Sequence, residues 1–388
     1  MRRRLAFSIA LLLLANGSWS QPDSARTLKL LFVGDIMGHS SQIESAAIET
    51  NKLYDYTPCF EYISPFLKQA DLTIGNLELT FPSKPPYSGY PLFKSPKDLA
   101  LALRHAGFNF LVTANNHSND GGLDGLINTI KILDEYGFYH TGTFQNSQER
   151  EAFYPLIVYK NNFKLAFLNY TYDTNGVPTR APSIVNEIKE DLIEADMAVA
   201  RALQPDAIIV VMHWGEEYQL VESKKQRDLA QKLANWGADL IVGAHPHVVQ
   251  PIKTITRTLP DSTIKTVPVV YSMGNFISGQ IKTHTDGGIM VEIILQKGQS
   301  DELLQIQTPQ YVPLWRWREK TSTGKTIYRV VPISPYEADA SKIGMNATDH
   351  AAMLRYARAV RKNLENAQAK ESLLSLPTDK ASENISGN

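Results

Sequence analysis

Leu240-Ile241-Val242-Gly243-Ala244-His245-Pro246-His247 is the stretch on which the reading of this chain turns. A short, β-branched apolar run gives way at once to two imidazoles, as happens where a buried strand delivers ligating side chains at its C-terminal end. Three other segments end alike. The run Leu30-Leu31-Phe32-Val33 leads into Gly34-Asp35, Leu72-Thr73-Ile74 into Asn76-Leu77-Glu78, and Phe110-Leu111-Val112 into Asn115-Asn116-His117. Ile208 to Met212 closes on His213.

Working outward, strand-like runs recur at Lys29 to Val33, Leu72 to Gly75, Phe110 to Thr113, Leu165 to Leu168, Ala207 to Met212 and Leu240 to Val242. Segments with apolar residues at three-to-four spacing separate most of them: Phe60 to Gln69, Lys97 to His105, Leu123 to Tyr136, Val185 to Leu203 and Lys225 to Trp236. Such alternation predicts a layered α/β fold. From about Val267 the pattern changes to strands without long helices, at Val267 to Ser272, Ile289 to Leu295, Leu303 to Val312 and Ile327 to Val331, and a second sheet is expected there. Asp349 to Gln368 reads as a helix. Asp379 to Asn388 is small and polar, and residues 371–388 are expected to be a disordered tail.

The chain has 388 residues, 43% hydrophobic and 20% charged, enough for one large core or two modest ones. The organisation expected is a domain over 28–335 with a helical extension over 336–370. Met1-Arg2-Arg3-Arg4, the apolar run Leu5 to Ala15 and Gly17-Ser18-Trp19-Ser20 have the layout of a secretory signal, with cleavage expected after Ser20. An uncleaved anchor is the alternative, but about a dozen apolar residues fall short of the ~20 that span a bilayer. The protein is therefore expected to be exported, to the periplasm or cell surface, with no transmembrane span once residues 1–20 are removed.

Cys59 is the single cysteine and has no partner for an intramolecular disulfide. Loss of Arg2, Arg3 and Arg4 lowers the formal net charge from -1 to -4, which argues against a nucleic-acid partner bound through its phosphates. The run Lys224-Lys225-Gln226-Arg227 reads as the solvated start of a helix. Phe81 to Pro91, rich in proline and glycine, reads as a surface loop after Glu78; Tyr87, Tyr90, Phe93 and Lys94 are candidate substrate contacts there, against the plainer reading of a connection.

In a mainly parallel sheet, strand ends on one edge share a crevice, so ligands distant in sequence meet there. Carboxylate, amide oxygen and neutral imidazole together suit Mn, Fe or Zn, and without thiolates no cysteine-based structural site can form. Singly, a buried Asp, Asn or His more often caps a helix or satisfies a loop. The argument for metal is their shared placement. His39, His105, His140, His284 and His350 lack that placement and read as surface or packing residues, as do Trp214, Trp315 and Trp317 as packing.

The ordered motifs Gly34-Asp35-Ile36-Met37, Gly75-Asn76-Leu77-Glu78, Asn115-Asn116-His117-Ser118-Asn119-Asp120-Gly121, His213-Trp214-Gly215, Gly243-Ala244-His245-Pro246-His247 and Tyr271-Ser272-Met273-Gly274-Asn275-Phe276 resemble the CapA capsule-synthesis (poly-γ-glutamate biosynthesis) family of the calcineurin-like metallophosphoesterase superfamily. The resemblance runs from about Leu30 to Ile294. It implies a four-layer αββα sandwich, metallo-dependent phosphatase-like, here with a C-terminal helical tail, and two divalent metal ions at one edge. Carried over, Asp35, Glu78 and His247 would hold one ion, and Glu78, Asn116, His213 and His245 the other. His117 would be the catalytic residue, donating a proton to the leaving oxygen or stabilising charge on the phosphoryl group. Asn76, Tyr90, Lys94 and Asn275 are the candidate substrate-binding residues.

The sequence departs from the superfamily pattern twice. Met37 stands where a second histidine ligand is common, which predicts weaker binding at the first site. The second motif offers Asn76 and Glu78 where a bridging aspartate is usual, and the charged residue is favoured. The function expected is a metal-dependent phosphoester hydrolase acting in capsule or poly-γ-glutamate synthesis, on an anionic polymer or phosphoester substrate and alongside other envelope polymer-synthesis proteins. The alternatives are a non-hydrolytic, metal-binding assembly component and a secreted nucleotidase or cyclic-nucleotide phosphodiesterase. No serine elbow of the GxSxG type is present, and Cys59 sits in no nucleophile motif.

Overall fold

The computed structural model describes residues 26–48, 53–298 and 304–375. The expected signal segment and residues 376–388 lie outside them. Among the described residues no helix is long and apolar enough to cross a membrane.

Two sheets face one another. The first has ten strands. One side of it is built from β1 (Arg26–Ile36), β2 (Leu72–Leu77), β3 (Phe110–Val112) and β4 (Tyr139–Thr141), all parallel, with β4 at the edge. The second sheet has six: β5 (Leu156–Lys160), β6 (Phe163–Thr171), β7 (Ala207–His213), β8 (Leu240–Ala244), β9 (Ile252–Thr258) and β10 (Ile264–Val270). Its order is β9-β10-β8-β7-β6-β5, with β6, β7, β8 and β10 parallel.

The late strands correct the expectation of a separate second sheet. Val267 to Val270 belongs to β10, but β11 (Asn275–Ile277), β12 (Gly287–Lys297), β13 (Gln310–Lys320) and β14 (Thr326–Pro332) return to the first sheet. β12 runs antiparallel to β1, pairing Val33 with Met290 and Arg26 with Lys297. Strand periodicity showed that these segments pair and carried no information about which partner they choose.

Helices α1 (Asp98–Ala106) and α2 (Gly122–Glu135) follow β2 and β3, and α3 (Glu190–Ala202) and α4 (Lys224–Asn235) follow β6 and β7. A capping box fixes the start of α4, Ser223 and Gln226 each accepting the other's backbone N–H. Lys224, Lys225 and Arg227 then face solvent as read, while Gln226 is buried. Phe60 to Gln69 is not one helix: it breaks into two short turns, Thr57–Phe60 and Ser64–Leu67, each with a proline at its start.

Three apolar layers result. Leu30, Phe32, Ile74 and Phe110 of the first sheet meet Phe167, Ile209, Val211 and Val242 of the second between the sheets. Leu31, Val33 and Leu111 pack outward against Leu99 and Leu103 of α1, and Leu168, Val210 and Ile241 against Ile193 of α3 and Leu233 of α4. Alternate residues of β1 thus serve opposite layers, and the architecture is the expected αββα sandwich. Trp315, Trp317 and Trp214 are buried in these layers, as read.

α5 (Ala347–Asn363) lies on β13, and its Arg361 pairs with both Glu337 and Glu371. Lys370–Glu371 adds a short parallel strand to Gln310–Tyr311, so ordered chain continues past residue 370.

Candidate metal centre

The C-terminal ends of β1 and β2 in one sheet meet those of β7 and β8 in the other. Register sets Asp35 opposite Asn76 on one side and Asn275 on the other, and His213 opposite Ala244. Gly34 permits this: a Cβ there would stand 1.8 Å from the carbonyl oxygen of Gly274. Gly243 is as confined, 2.0 Å from the Tyr271 carbonyl oxygen. Past β8 the chain turns so sharply that His245 and His247 both take positive φ, 100° and 59°. A non-glycine residue held there costs of order 1–3 kcal/mol, and such strain concentrates at functional sites.

Two ligand groups form around one carboxylate. Asp35, Glu78 and His247 make one, Glu78, His213 and His245 the other, and within each group one ligand atom per residue lies within 4.8 Å of the rest. Every member is buried. Glu78 Oε1 stands 3.8 Å from Nε2 of His213, 3.8 Å from Nε2 of His247 and 4.0 Å from Nε2 of His117. Asp35 Oδ2 is 2.9 Å from His247 Nδ1, and Asn116 Oδ1 is 2.8 Å from His213 Nε2. All six residues expected from the sequence as ligands converge.

Four buried atoms here have no hydrogen-bond partner: both carboxylate oxygens of Glu78, Oδ1 of Asn76 and Nδ1 of His245. Buried polar atoms are rarely left so, and a cluster of acceptors fits cations. Burial, then the charges of Asp35 and Glu217, push the Glu78 carboxyl well above its usual range. Burial, then the neighbouring imidazoles, push His213 and His245 well below theirs. Neutral imidazoles are what a divalent ion requires. Donor types and unpartnered atoms together fit divalent cations.

Asn76 does something different. Its Nδ2 donates to Asp35 Oδ1 at 2.8 Å and lies 3.1 Å from His213 Nδ1, bracing one member of each group. Met37 contributes nothing to either group, since its side chain belongs to the apolar layer beneath β1. His39 is half-buried, accepts the Gly279 N–H at 3.1 Å and packs 4.8 Å from the Phe93 ring. Burial drives its pKa down to about 4.

His117 stands across the cleft from the imidazoles. Its Nδ1 meets Asp120 Oδ2 at 2.7 Å, and Phe93 packs edge-on against its ring at 4.5 Å. Asp120 belongs to the motif over 115–121, and its place three residues after a histidine in a tight turn is the sequence signal for this pairing. Asn175 carried no comparable signal. It accepts from Asn116 Nδ2 at 3.3 Å and reaches within 3.5 Å of His117 Nε2. Tyr172, 4.5 Å from the His245 ring, and Tyr218, 6.1 Å from His247, also wall the cleft.

The four candidate substrate contacts are placed unequally. Asn76 is inside the centre. Asn275 is buried, donating to Gln280 Oε1 and Thr285 O, each at 2.9 Å, with its own Oδ1 unpartnered. Tyr90 is 79% exposed and touches the centre only through Phe93, 6.4 Å away. Lys94 exchanges backbone hydrogen bonds with Ser88, closing the loop against Phe93. Tyr87 packs instead on Tyr54. Cys59 is buried in the first sheet's outer layer, its thiol pushed up to about 12 by burial, so it is no nucleophile.

The model of the bacterial capsule synthesis protein PGA_cap family matches residues 29–280. The chain belongs to that family. All the metal-centre residues named above lie inside the match. Capsule biosynthesis protein CapA of Bacillus anthracis is 29% identical over 288 residues, 69% of this chain and 64% of that protein. PGA biosynthesis protein CapA of Bacillus subtilis (strain 168) is 28% identical over 282 residues, 70% and 68% of the two chains. This member therefore spans 64% of the length of the first relative. Among solved structures, the calcineurin-like phosphoesterase YfkN from Bacillus subtilis superposes with a TM-score of 0.46 at 15% identity, over 87% of this chain and 99% of that one. Haemophilus influenzae NAD nucleotidase (NadN) gives 0.46 at 11%, over 91% and 65%.

Proposed function

We propose that this chain is an exported, metal-dependent hydrolase that cleaves a phosphoester or related bond during synthesis of an anionic capsule polymer. One observation carries the reading: two buried ligand groups share Glu78, and a histidine held by a carboxylate faces them at 4.0 Å. A purely structural metal site has no need of that histidine.

Divalent ions in such a centre supply Lewis acidity toward a phosphoryl oxygen and make hydroxide available near neutral pH. The protein's own groups do the rest. Asp120 accepts the Nδ1 proton of His117, which fixes the ring and points Nε2 into the cleft, where it can pass a proton to a leaving oxygen. Asn175 and Asn116 hold the adjacent wall. Phe93 and Tyr172 cover the imidazoles and limit water.

The test is elemental analysis of the purified protein, followed by assay of p-nitrophenyl phosphate and bis-p-nitrophenyl phosphate with Mn. Turnover lost in His117→Ala with metal content kept supports the reading. Bound metal without turnover, and no change in His117→Ala, supports instead a non-hydrolytic component that holds acidic polymer. Met37 favours that second reading, since the first ligand group lacks the histidine common at this place. A nucleotide panel separates both from a nucleotidase or cyclic-nucleotide phosphodiesterase.

A further inference from the structure

Beyond the metal centre, and past residue 280 where the family match ends, β13 and α5 enclose a cavity of about 470 Å³. It is lined by Lys282, His284, Arg316, Arg318, Arg355 and Tyr356. Arg318 and Arg355 are exposed at its mouth, whereas Arg316 is 5% exposed and Tyr356 4%. Two atoms on that inner wall are buried without a hydrogen-bond partner, Nε of Arg316 and the hydroxyl of Tyr356.

Arg316 is the informative residue. Its side chain donates Nη2 to the Gln280 carbonyl oxygen at 2.8 Å and rests near the Tyr328 ring at 5.8 Å. Asp286 is the one carboxylate lining the cavity, and its Oδ2 already accepts Trp315 Nε1 at 3.2 Å. Four permanent cations against one anion leave an excess of positive charge around a buried guanidinium whose Nε is free. An arginine is rarely buried without a counter-ion, because its desolvation must be offset. Among the described residues no carboxylate forms a salt bridge with it and the charge of Asp286 offsets its desolvation only in part, so a ligand carboxylate entering beside the exposed arginines would add the missing opposite charge.

The cavity also leads to the metal centre through one segment. Asn275, beside Asp35 in register, donates to Gln280; the Gln280 carbonyl receives Arg316; Gln280 Nε2 reaches the Tyr218 hydroxyl at 3.5 Å; and Lys282 Nζ stands 3.6 Å over the Tyr218 ring. Tyr218 in turn faces His247.

We propose that this cavity is a second binding site, for carboxylates of an acidic polymer whose chain runs past Tyr218 toward the metal centre. The inference rests on the polymer substrate proposed above and names where that substrate is gripped away from the reacting bond. Repeated carboxylates at spaced positions suit it better than a single small anion, since Arg316 inside and Arg318 and Arg355 at the mouth lie at different depths.

The probe is a defined γ-linked oligoglutamate titrated calorimetrically into the full metal-loaded protein, with inorganic phosphate in a parallel titration. The expected result is saturable, salt-sensitive binding of the oligomer, weakened about tenfold or more by Arg318→Glu combined with Arg355→Glu. Both positions are exposed, so the variant should fold, and an unchanged melting temperature checks this. Unchanged affinity in the double variant, no oligomer binding at all, or phosphate binding as tight as the oligomer would each overturn the site. Failure of the hydrolase reading looks different: no turnover of any ester, with oligomer binding still lost in the double variant.

Discussion

Asp120 Oδ2 lies 2.7 Å from Nδ1 of His117, and the backbone N–H of Phe93 donates to the same oxygen. The pair is buried, so the carboxylate is directed at one imidazole and is held by a loop residue as well. Burial pushes the Asp120 carboxyl up, opposed by the hydrogen bond and charge of His117.

The dyad predicts that Asp120→Asn lowers kcat by about 10²-fold, with KM nearly unchanged, because general-acid assistance is of that size. Steady-state kinetics on an aryl phosphate check it. Equal kcat in the variant would show that Asp120 only holds the turn.

Because Glu78 belongs to both ligand groups while Asp35 belongs to one, Glu78→Gln should lose more metal than Asp35→Asn. Elemental analysis after gel filtration at equal free metal measures this. A protein that loses as much metal with Asp35→Asn as with Glu78→Gln would not share the carboxylate.

Metal should also stabilise the fold. Ligand that binds only the native state raises stability by RT ln(1 + [L]/Kd), about 2.7 kcal/mol at a hundredfold excess over Kd. Chelation followed by a thermal melt is expected to lower Tm measurably, with recovery on adding Mn. No shift would mean the centre is not occupied by a tightly held ion.

Gly34→Ala should destabilise by roughly 1–3 kcal/mol, since the added methyl overlaps the Gly274 backbone and β1 must shift against β11. Denaturant midpoints read the loss. The neighbouring Asp35 should lose metal affinity in the same variant.

Arg361 hydrogen-bonds to Glu337 and Glu371, and the first of these bonds holds the Glu337 carboxyl below the ordinary glutamate value of 4.5. A lowered carboxyl pKa contributes stability that is complete above 4.5 and disappears as pH falls through the native value. The groups are partly exposed, so the contribution is only about 0.5–1 kcal/mol. Arg361→Ala should thus lower Tm most at pH 7 and progressively less as the pH is taken below 4.5. An equal gap across that range would refute the pairing.

Much of this was legible from the strand ends. Apolar runs closing on Asp35, Asn76-Leu77-Glu78, Asn116-His117, His213 and His245-Pro246-His247 implied a common edge, and the sheets bring the six candidate ligands among them together because parallel strands share one C-terminal side. The choice between Asn76 and Glu78 needed coordinates: only the directions of their side chains show that one braces and the other stays unpartnered. The placement of Ile289 to Leu295 was not legible, since alternation marks a strand and leaves its neighbour open. Asn175 and Arg316 were invisible for a related reason, as each gains meaning from residues far along the chain.

β1, the first strand of the described chain, is zipped between β2 and the much later β12. Its edge stays open until nearly three hundred residues have been made, so the central sheet is a late and slow event, dominated by distant pairings. A chain built this way remains threadable for most of its synthesis, and closes only when its final third arrives.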